Sequence, residues 1–416
     1  MTRALLLMTT ATYRAKAFIE AAARLRVRAA VGTDRPDVLE KLNPGGTLAL
    51  DFLKPESQVQ AIAAFAEQYP LDAIVPVDDD TVVLGALAAK RLGLPCHPPE
   101  AARATRSKYQ LRQVLSEEGL PSPAFRLLSI DEDPARLAQA IGYPCVLKPT
   151  FLSASRGVIR AGNEAEFRAA FRRVAAILRE PGTAGRGGAE AGMILAEDYI
   201  PGAEVALEGL MIRGELHALA LFDKPDPLEG PFFEETIYVT PSRLPRETQR
   251  AIIAQAGRAA RVLGLREGPV HAEFRLNEKG VWPLDIAGRS IGGRCSEALS
   301  FGEGLPLEVL ILCQALGVAP PSLEREGEAS GVMMIPIPGA GVLRGVEGKE
   351  EALAVPGVTG VEIAIHLGGR VVPLPEGEKY LGFIFAKAGT PGEAEAALRG
   401  AHARLRFRIE PEGSGS

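Results

Sequence analysis

Two acidic residues, Glu273 and Asp285, stand in the segment HAEFRLNEKGVWPLDIAGR, which has the pattern of two strands joined by a turn. A three-residue loop closed by Gly280 would pair Asn277 with Val281. Continued along the strands, this register places Glu273 opposite Asp285. Like charges about 5 Å apart destabilise a sheet unless a cation joins them, and Mg²⁺ binds one or two carboxylates together with phosphate oxygens. The pair is therefore a candidate metal site, and an ordinary solvated strand face is the alternative.

Alternation along these strands sorts the other side chains onto two faces. The predicted apolar face contains Ala272, Phe274, Leu276, Trp282, Leu284 and Ile286. The predicted polar face adds His271, Arg275 and Arg289 to the two carboxylates. One face would pack against a core while the other faces a site.

A lysine, Lys148, lies inside the apolar strand YPCVLKPT of a chain that has 11 lysines against 36 arginines. Its charge is costly there unless an anion matches it, and phosphate is such an anion. The following run SASRGV offers the hydroxyls of Ser153 and Ser155, and Gly157 allows backbone N–H groups to approach the same anion. A surface lysine with its ammonium in water is the alternative.

Two further carboxylates flank a turn in LAEDYIPGAEVALEG. Glu197 lies near the end of an apolar strand, and Glu204 follows the turn. They would accept hydrogen bonds from an amino group and from sugar hydroxyls. Solvated charges at strand ends are the alternative.

Alternating strands and helices must position these residues. Strand RALLLM, helix TYRAKAFIEAAARL and strand RVRAAVG predict a parallel sheet at the N-terminus. No GxGxxG fingerprint supports a dinucleotide site there. The glycine-rich segment PGTAGRGGAEAG is predicted to be a flexible loop, and the last hundred residues are rich in strands.

Composition excludes several classes of protein. A chain of 416 residues, 46% of them hydrophobic, is long enough for two or three domains. Its net charge of -5 without a basic block argues against nucleic acid or a membrane surface as partner. Four scattered cysteines indicate a reducing compartment, so we expect a cytoplasmic protein, and we expect residues 413–416 to form a tail outside the fold.

In this order, the segments resemble the ATP-grasp superfamily, and within it the carboxylate-amine ligases of the L-amino-acid ligase type. The resemblance covers at least residues 70–293, through DAIVPVDDD, YPCVLKPTFLSASRGV, LAEDYIPGAEVALEG and HAEFRLNEKGVWPLDIAGRSIGG. The region from GVMMIPIP to FIFAKAG resembles the C-terminal domain of that type.

The resemblance implies an α/β fold of three parts. A Rossmann-like parallel sheet would occupy residues 1–100. A central two-lobed ATP-grasp domain would occupy 101–315, with a mobile lid near 149–158. A strand-rich α+β domain would occupy 316–412.

The resemblance also implies which residues bind ATP. They are Lys108 and Lys148 for the phosphates, Ser153, Ser155 and Gly157 for the lid, Glu197, Tyr199 and Ile200 for adenine, and Glu204 for the ribose. Ala154 stands in the lid where glycine is common in the family, which restricts the backbone there.

By the same resemblance, Glu273 and Asp285 would hold Mg²⁺ or Mn²⁺. Arg289 and Lys148 would be the catalytic cations that stabilise the transferred phosphoryl group. Where the family has an asparagine ligand this chain has Ala287, so a second metal site would be weak.

The implied activity is that of an ADP-forming ligase, which joins a small carboxylate and an amine through an acyl phosphate, with amino acids as the expected substrates. The segment FDKPDPLEGPFFEETIYVTPS is the candidate acceptor site. There Glu234 or Glu235 would receive an ammonium group, and Phe232 and Phe233 would shape a pocket; His271 is a further substrate candidate. A surface loop is the alternative, and a homodimer is expected from the resemblance alone.

Two other functions stay open from the sequence. One is another ATP-grasp activity, purine-biosynthetic or carboxylase-like. The other is a nucleotide-binding regulatory protein, which would require that Asp285 and Ala287 abolish metal binding. The presence of both lysines with Glu273 and Arg289 argues against such a loss of chemistry.

Overall fold

The computed structural model describes residues 2–35 and 45–411, so the predicted tail at 413–416 lies outside the described residues. The described strands are β1 (Arg3–Leu7), β2 (Arg28–Thr33), β3 (Thr47–Ala49), β4 (Ala73–Pro76), β5 (Phe125–Ser129), β6 (Cys145–Pro149), β7 (Ile159–Ala161), β8 (Met193–Asp198), β9 (Ala203–Ile212), β10 (Glu215–Lys224), β11 (Ile237–Thr240), β12 (Gly268–Asn277), β13 (Gly280–Ala287), β14 (Ala329–Ile335), β15 (Gly341–Glu347), β16 (Val358–Ile363), β17 (Arg370–Val371), β18 (Gly382–Ala388) and β19 (Arg406–Glu410). The described α-helices are α1 (Ala15–Arg24), α2 (Pro55–Gln68), α3 (Val82–Leu92), α4 (Pro99–Ala104), α5 (Lys108–Glu117), α6 (Pro134–Ala138), α7 (Glu164–Arg179), α8 (Pro181–Gly187), α9 (Arg246–Val262), α10 (Leu307–Ala315), α11 (Lys349–Leu353) and α12 (Pro391–His402). None of these helices combines the length and apolar composition needed to cross a membrane.

The N-terminal sheet is parallel, as predicted, with strand order β3-β2-β1-β4. Its core contains the fully buried Leu5, Leu7 and Ile74. Loops at residues 9–14 and 78–80 follow the carboxyl ends of β1 and β4, the edge at which α/β sheets bind ligands.

A four-stranded antiparallel sheet of order β5-β8-β6-β7 carries the predicted lid. Helix α7 covers it, and the Asn163 side chain caps this helix by accepting from the Glu166 N–H. The helix buries one stripe at helical spacing: Phe167, Ala170, Phe171, Val174, Ala175, Ile177 and Leu178.

An eight-stranded antiparallel sheet, of order β13-β12-β9-β10-β11-β14-β18-β16, joins the centre of the chain to its C-terminal part. It continues across the predicted boundary at residue 315, because β11 pairs with β14. A smaller sheet of order β17-β15-β19 completes the C-terminal part. The predicted α/β class is confirmed, while the domain boundaries remain predictions.

The β12–β13 hairpin differs from the predicted register near its turn. Asn277 pairs with Gly280 across a two-residue turn, so the predicted pairing with Val281 is wrong. The Asn277 side chain fixes this turn, because its Oδ1 accepts from the Lys279 N–H at 2.9 Å and from the Trp282 indole at 3.0 Å. Trp282 pairs with Arg275 in this register, so its side chain lies on the face of Arg275 and not on the predicted packing face.

A bulge farther along the hairpin restores the predicted pair. The register shifts between Glu273 and Phe274, which pair with Asp285 and Pro283 and leave Leu284 unpaired between them. Glu273 thus lies opposite Asp285, as predicted. Leu284, predicted to pack in the core, instead lines a cavity.

The predicted flexible loop at residues 181–192 is also wrong. It contains helix α8 and a short 3₁₀ helix, Gly188–Glu190. Pro181 begins α8, and proline is favoured in the first turn because its fixed φ suits a helix. The high glycine content of the segment favoured the loop prediction over this helix-start signal.

We predict that Gly202→Ala destabilises the protein more than Gly280→Ala. Both glycines have φ near +120°, but a Cβ on Gly202 would lie 1.9 Å from the Leu276 carbonyl oxygen, whereas a Cβ on Gly280 would meet open space. Urea unfolding followed by circular dichroism should show a free energy of unfolding at least about 2 kcal/mol lower for the Gly202 variant. Equal losses would contradict this close approach between the turn and β12.

Candidate active site

A cavity of about 520 Å³ opens where the N-terminal sheet, the lid sheet and the eight-stranded sheet meet. Most of the predicted site residues line it: Lys108, Lys148, Ser153, Ser155, Glu197, Tyr199, Ile200, Glu204, Phe233, Glu235, His271, Glu273, Asp285 and Arg289. Gly157, Phe232 and Glu234 do not line it.

Lys148 and Glu197 form a buried ion pair in this cavity. Lys148 lies two residues beyond Val146, the cross-strand partner of Glu197, so both side chains share a face. The Lys148 ammonium donates to Glu197 Oε1 at 2.5 Å, and Arg112 Nε donates to Oε2 at 2.8 Å. Burial raises the pKa of Glu197, but the two cations outweigh it and bring the pKa down to about 2. Burial lowers the pKa of Lys148 to about 8, against the opposing effect of Glu197.

Arg112 is a site residue that the sequence analysis missed. It is 0% exposed, and its Nη atoms also donate to the carbonyls of Pro283 and Leu284 on β13. It therefore ties α5, β8 and β13 together. A signal was available, since Arg112 follows Lys108 by four residues and so lies on the same face of α5.

Lys108, one of the two predicted phosphate-binding lysines, contacts a predicted metal ligand. It is the first residue of α5, whose N-cap Ser107 accepts from the Gln110 N–H. Its ammonium donates to Asp285 Oδ2 at 2.9 Å and to the Leu152 carbonyl at 3.0 Å. One carboxylate of the predicted metal pair is thus next to a predicted phosphate-binding cation.

The predicted adenine end has an aromatic wall. Tyr199 and Phe233 are stacked with ring centroids 6.4 Å apart, and the Arg275 guanidinium lies over both rings. Arg275 also donates to the Ile200 carbonyl at 2.7 Å. Phe233 therefore belongs to the wall beside Tyr199 and not to a separate acceptor pocket.

A second missed residue, Lys224, is buried against three glutamates that line the cavity. Its ammonium contacts three carboxylate oxygens, at 2.8 Å for Glu204 and 2.7 Å for both Glu235 and Glu273. Burial lowers the pKa of Lys224, but the three carboxylates outweigh burial and raise it. Burial and the adjacent Glu273 charge raise the pKa of Glu235 to about 7. Like Lys148, Lys224 is a rare lysine placed before a proline at a strand end, which was the available signal.

His271 lies behind Glu273, between two carboxylates. Its Nδ1 is 3.3 Å from Glu208 Oε2, and its Nε2 is 3.6 Å from Glu273 Oε1. Burial lowers the pKa of His271, but hydrogen bonds to the two glutamates outweigh burial and raise it to about 9. Glu208, which the sequence analysis also missed, is 0% exposed and accepts from the Ile291 N–H at 3.0 Å.

Glu273 and Asp285 fit a divalent cation by position and by donor type. They are cross-strand partners that both line the cavity, and they offer only oxygen ligands, which Mg²⁺ prefers. Ala287 also lines the cavity, opposite His271, and offers no ligand atom. Across the described chain, three possible ligands lie within 4.8 Å of one another only at Glu204, Glu235 and Glu273, where Lys224 already stands.

An acidic turn after β4 binds three arginines, of which Arg186 and Arg289 line the cavity. Asp79 accepts from Arg289 Nη2 at 2.8 Å and lies 3.3 Å from Arg106. Asp80 binds Arg106 at 3.0 Å and Arg186 at 3.1 Å. Burial raises the pKa of Asp79, but Arg289 and Arg106 bring it well below its usual value. These carboxylates belong to the segment DAIVPVDDD, and no role was predicted for them.

The predicted acceptor segment only partly reaches the cavity. Glu235 lines it, with its carboxylate on Lys224 and Tyr238. Phe232 instead packs toward the lid sheet, with the Arg173 guanidinium 4.9 Å from its ring centroid. Glu234 lies outside the lining, so its predicted contact with a substrate ammonium is not supported by its position.

Three domain families match successive parts of the chain. They are an ATP-grasp N-terminal domain at residues 19–96, an ATP-grasp domain at 141–298 and an L-amino acid ligase C-terminal domain 2 at 333–410. The crystal structure of an L-amino acid ligase from Bacillus licheniformis superposes on 99% of this chain and 99% of its own, with a TM-score of 0.81 at 25% identity. The chain belongs to the ATP-grasp superfamily.

The named relatives of this ATP-grasp protein align with it over only part of their own length. Alanine–anticapsin ligase of Bacillus amyloliquefaciens is 32% identical over 239 residues, which are 54% of this chain and 50% of that protein. Carnosine synthase 1 of Gallus gallus is 31% identical over 288 residues, 66% of this chain and 30% of that protein. The chain thus spans half or less of the length of these two relatives.

The predicted ATP-grasp lid has a strained backbone that lies against the C-terminal part. Ala154 and Ser155 have φ of 55° and 53°, a conformation that favours glycine. The Gly157 N–H, predicted to face a phosphate, donates to the Pro375 carbonyl at 2.8 Å. Arg156 Nε donates to the Glu376 carbonyl at 2.9 Å.

Ion pairs reinforce this contact between the lid lobe and the C-terminal part. Arg156 binds Glu180 and lies 3.5 Å from Glu378. Arg173 on α7 binds Glu376 through two nitrogens, at 2.5 and 2.8 Å. The segment around residues 375–378 therefore holds the predicted ATP-grasp lid against the C-terminal part of the chain.

We predict that Glu197→Gln reduces the acid sensitivity of this ATP-grasp protein. The Glu197 pKa falls from its usual 4.5 to about 2, so ionised Glu197 contributes stability above pH 4.5 that is lost as pH falls toward 2. We expect the wild-type protein to lose about 1 kcal/mol more free energy of unfolding than the variant between about pH 7 and about pH 4. Urea unfolding at both pH values measures this difference.

The exposed Glu215→Gln is the control for that measurement. It should retain the wild-type pH dependence, since Glu215 has no buried cation beside it. A Glu197 variant that loses as much stability as the wild-type protein would contradict the ion-pair assignment.

Proposed function

We propose that this protein is an ATP-dependent ligase that joins a small carboxylate to an amine, with amino acids as substrates, and releases ADP and phosphate. The observation that carries the proposal is the convergence in one cavity of two lysines, a facing pair of carboxylates and Arg289. Phosphoryl transfer depends mainly on positioning and on neutralisation of charge, and these groups supply both.

The nucleotide would lie with its adenine against Tyr199 and its phosphates toward Lys108 and Lys148. Glu197 and Glu204 would accept from the adenine amino group and the ribose hydroxyls. Both carboxylates are already oriented by cations, which supports such precise acceptor roles.

Glu273 and Asp285 would hold Mg²⁺, which supplies charge neutralisation at the phosphates when it is bound. Lys108 bridges these ligands to the phosphates, since it already contacts Asp285. Asp79 keeps Arg289 pointed into the cavity.

In the reaction, a carboxylate oxygen of the first substrate attacks the γ-phosphorus, and the bond to ADP breaks. The amine nitrogen of the second substrate then attacks the carbonyl carbon of the acyl phosphate. The carbon–oxygen bond breaks, phosphate leaves and the nitrogen loses a proton. Lys148 and Arg289 would stabilise the charge on the transferred group, while the closed lid excludes water.

Amino acids are favoured as substrates by the C-terminal match to L-amino acid ligases, at residues 333–410. The relatives whose names describe ligation of alanine and synthesis of carnosine support the same reaction class. Purine-biosynthetic or carboxylase-like activity is less well supported, because the family that matches residues 333–410 is that of L-amino acid ligases. A purely regulatory role is disfavoured by the intact set of phosphate-directed cations.

We further propose that the protein acts in the cytoplasm on small molecules. Its four cysteines are all free, which suits a reducing compartment. A homodimer remains an expectation from the family alone.

The decisive experiment measures ADP and phosphate release from MgATP with single amino acids and with all their pairs, with mass detection of products. The proposal requires turnover with particular pairs and one phosphate released per amide formed. Binding of MgATP without turnover on any pair would instead favour another ATP-grasp activity or a regulatory nucleotide-binding role.

We predict that Glu273→Gln lowers kcat at least about 100-fold, because a metal ligand loses its charge. Glu278→Gln is the matched control, since Glu278 lies in the exposed turn of the same hairpin. Near wild-type turnover in a folded Glu273 variant would refute the metal assignment.

A further inference from the structure

Lys224 lies against three glutamates of the cavity lining, at the position that a cation bound by all three would take. The carboxylates of Glu204, Glu235 and Glu273 lie within 4.8 Å of one another, close enough to hold one metal ion together. The Lys224 ammonium is 2.7 to 2.8 Å from one oxygen of each, and its side chain is only 3% exposed.

The register of the large sheet produces this arrangement. Lys224 on β10 is the direct cross-strand partner of Glu204 on β9, and Glu204 is in turn the partner of Arg275 on β12. Glu273 lies two residues before Arg275, so its side chain points to the same face. Residues on three adjacent strands thus meet at one point.

The ammonium satisfies its hydrogen-bonding capacity within this group. A lysine ammonium has three N–H donors, and each of the three glutamates supplies one acceptor. The second oxygens of two of these glutamates are also bound, by Arg275 at 3.1 Å for Glu204 and by the Tyr238 hydroxyl at 2.8 Å for Glu235. Both oxygens of Glu204 and both oxygens of Glu235 are therefore held by hydrogen bonds.

Glu273 is the member of this group that faces the predicted metal partner. Its cross-strand partner is Asp285, which Lys108 holds at 2.9 Å. In the predicted metal pair, Glu273 thus contacts Lys224 and Asp285 contacts Lys108. Ala287, two residues beyond Asp285 on β13, lines the cavity and offers no ligand atom.

We propose, on the basis of the proposed function, that Lys224 replaces a second divalent cation and positions Glu273. Its fixed positive charge gathers Glu204, Glu235 and Glu273 and excludes a metal ion from among them. The site then holds a metal ion at Glu273 and Asp285 and none among the three glutamates. Lys224 is a positioning residue that acts through Glu273.

The test counts bound Mn²⁺ in wild-type protein and in Lys224→Met, by electron paramagnetic resonance of free Mn²⁺ at saturating ADP. Methionine keeps the length of the side chain and removes the charge. We expect the variant to bind one Mn²⁺ more per chain than the wild-type protein, because three carboxylates lose their cation. Lys224→Arg, which retains the charge, and Lys279→Met, in the exposed turn, should keep the wild-type count.

An equal count in wild-type protein and in the folded methionine variant would overturn the proposal. Equal counts with weaker ADP binding would mean that Lys224 is a phosphate-binding residue instead. If the variant is unfolded in EDTA, the proposal requires that Mn²⁺ restores its circular dichroism, and failure to do so would also overturn it. We expect Mn²⁺ to raise the melting temperature of the variant by about 5 °C more than that of the wild-type protein.

The count does not depend on turnover, so it separates this inference from the ligase proposal. An extra Mn²⁺ in Lys224→Met, combined with no turnover on any amino-acid pair, would support the role of Lys224 while refuting the proposed substrates. Turnover on amino-acid pairs with equal Mn²⁺ counts would support the proposed substrates while refuting the role of Lys224.

Discussion

Charge that is removed from water must be matched by opposite charge nearby, and this constraint organises the cavity. Glu197 is balanced by Arg112 and Lys148, and the three glutamates around Lys224 are balanced in part by that ammonium and by Arg275. Each match fixes side chains before any ligand arrives. The site is therefore preorganised, so a bound nucleotide would find acceptors and cations already in place.

The matched charges also hold the parts of the protein together. Arg112 joins α5 to β8 and β13, while Asp79 joins the N-terminal sheet to Arg289 beyond the end of β13. Removing one partner from such a buried pair is strongly destabilising, because the other charge remains uncompensated. The arrangement of the proposed catalytic groups and the cohesion between sheets thus depend on the same few contacts.

The sequence predicted the residues whose pattern was local and missed those whose partners were distant. Lys148 stood out inside an apolar strand, and the Glu273–Asp285 pair followed from hairpin alternation, although a two-residue turn and a bulge produced that pair by a different register. Arg112 and Lys224 had only weak local signals, a four-residue spacing from Lys108 and a following proline, because their partners lie 85 and up to 49 residues away in the chain. Pairing at such separations depends on the tertiary fold, which no window of sequence contains.

The predicted lid contacts residues 375–378, so lid opening in the proposed reaction would depend on the C-terminal part. The lid donates its Gly157 N–H and its Arg156 side chain to carbonyls of that segment, so opening the lid requires breaking contacts with a different part of the chain. The same C-terminal segment also supplies Glu378 and Tyr380 to the cavity lining. A chimaera that exchanged this part with that of a relative would therefore change the support of the predicted lid and the wall of the cavity together.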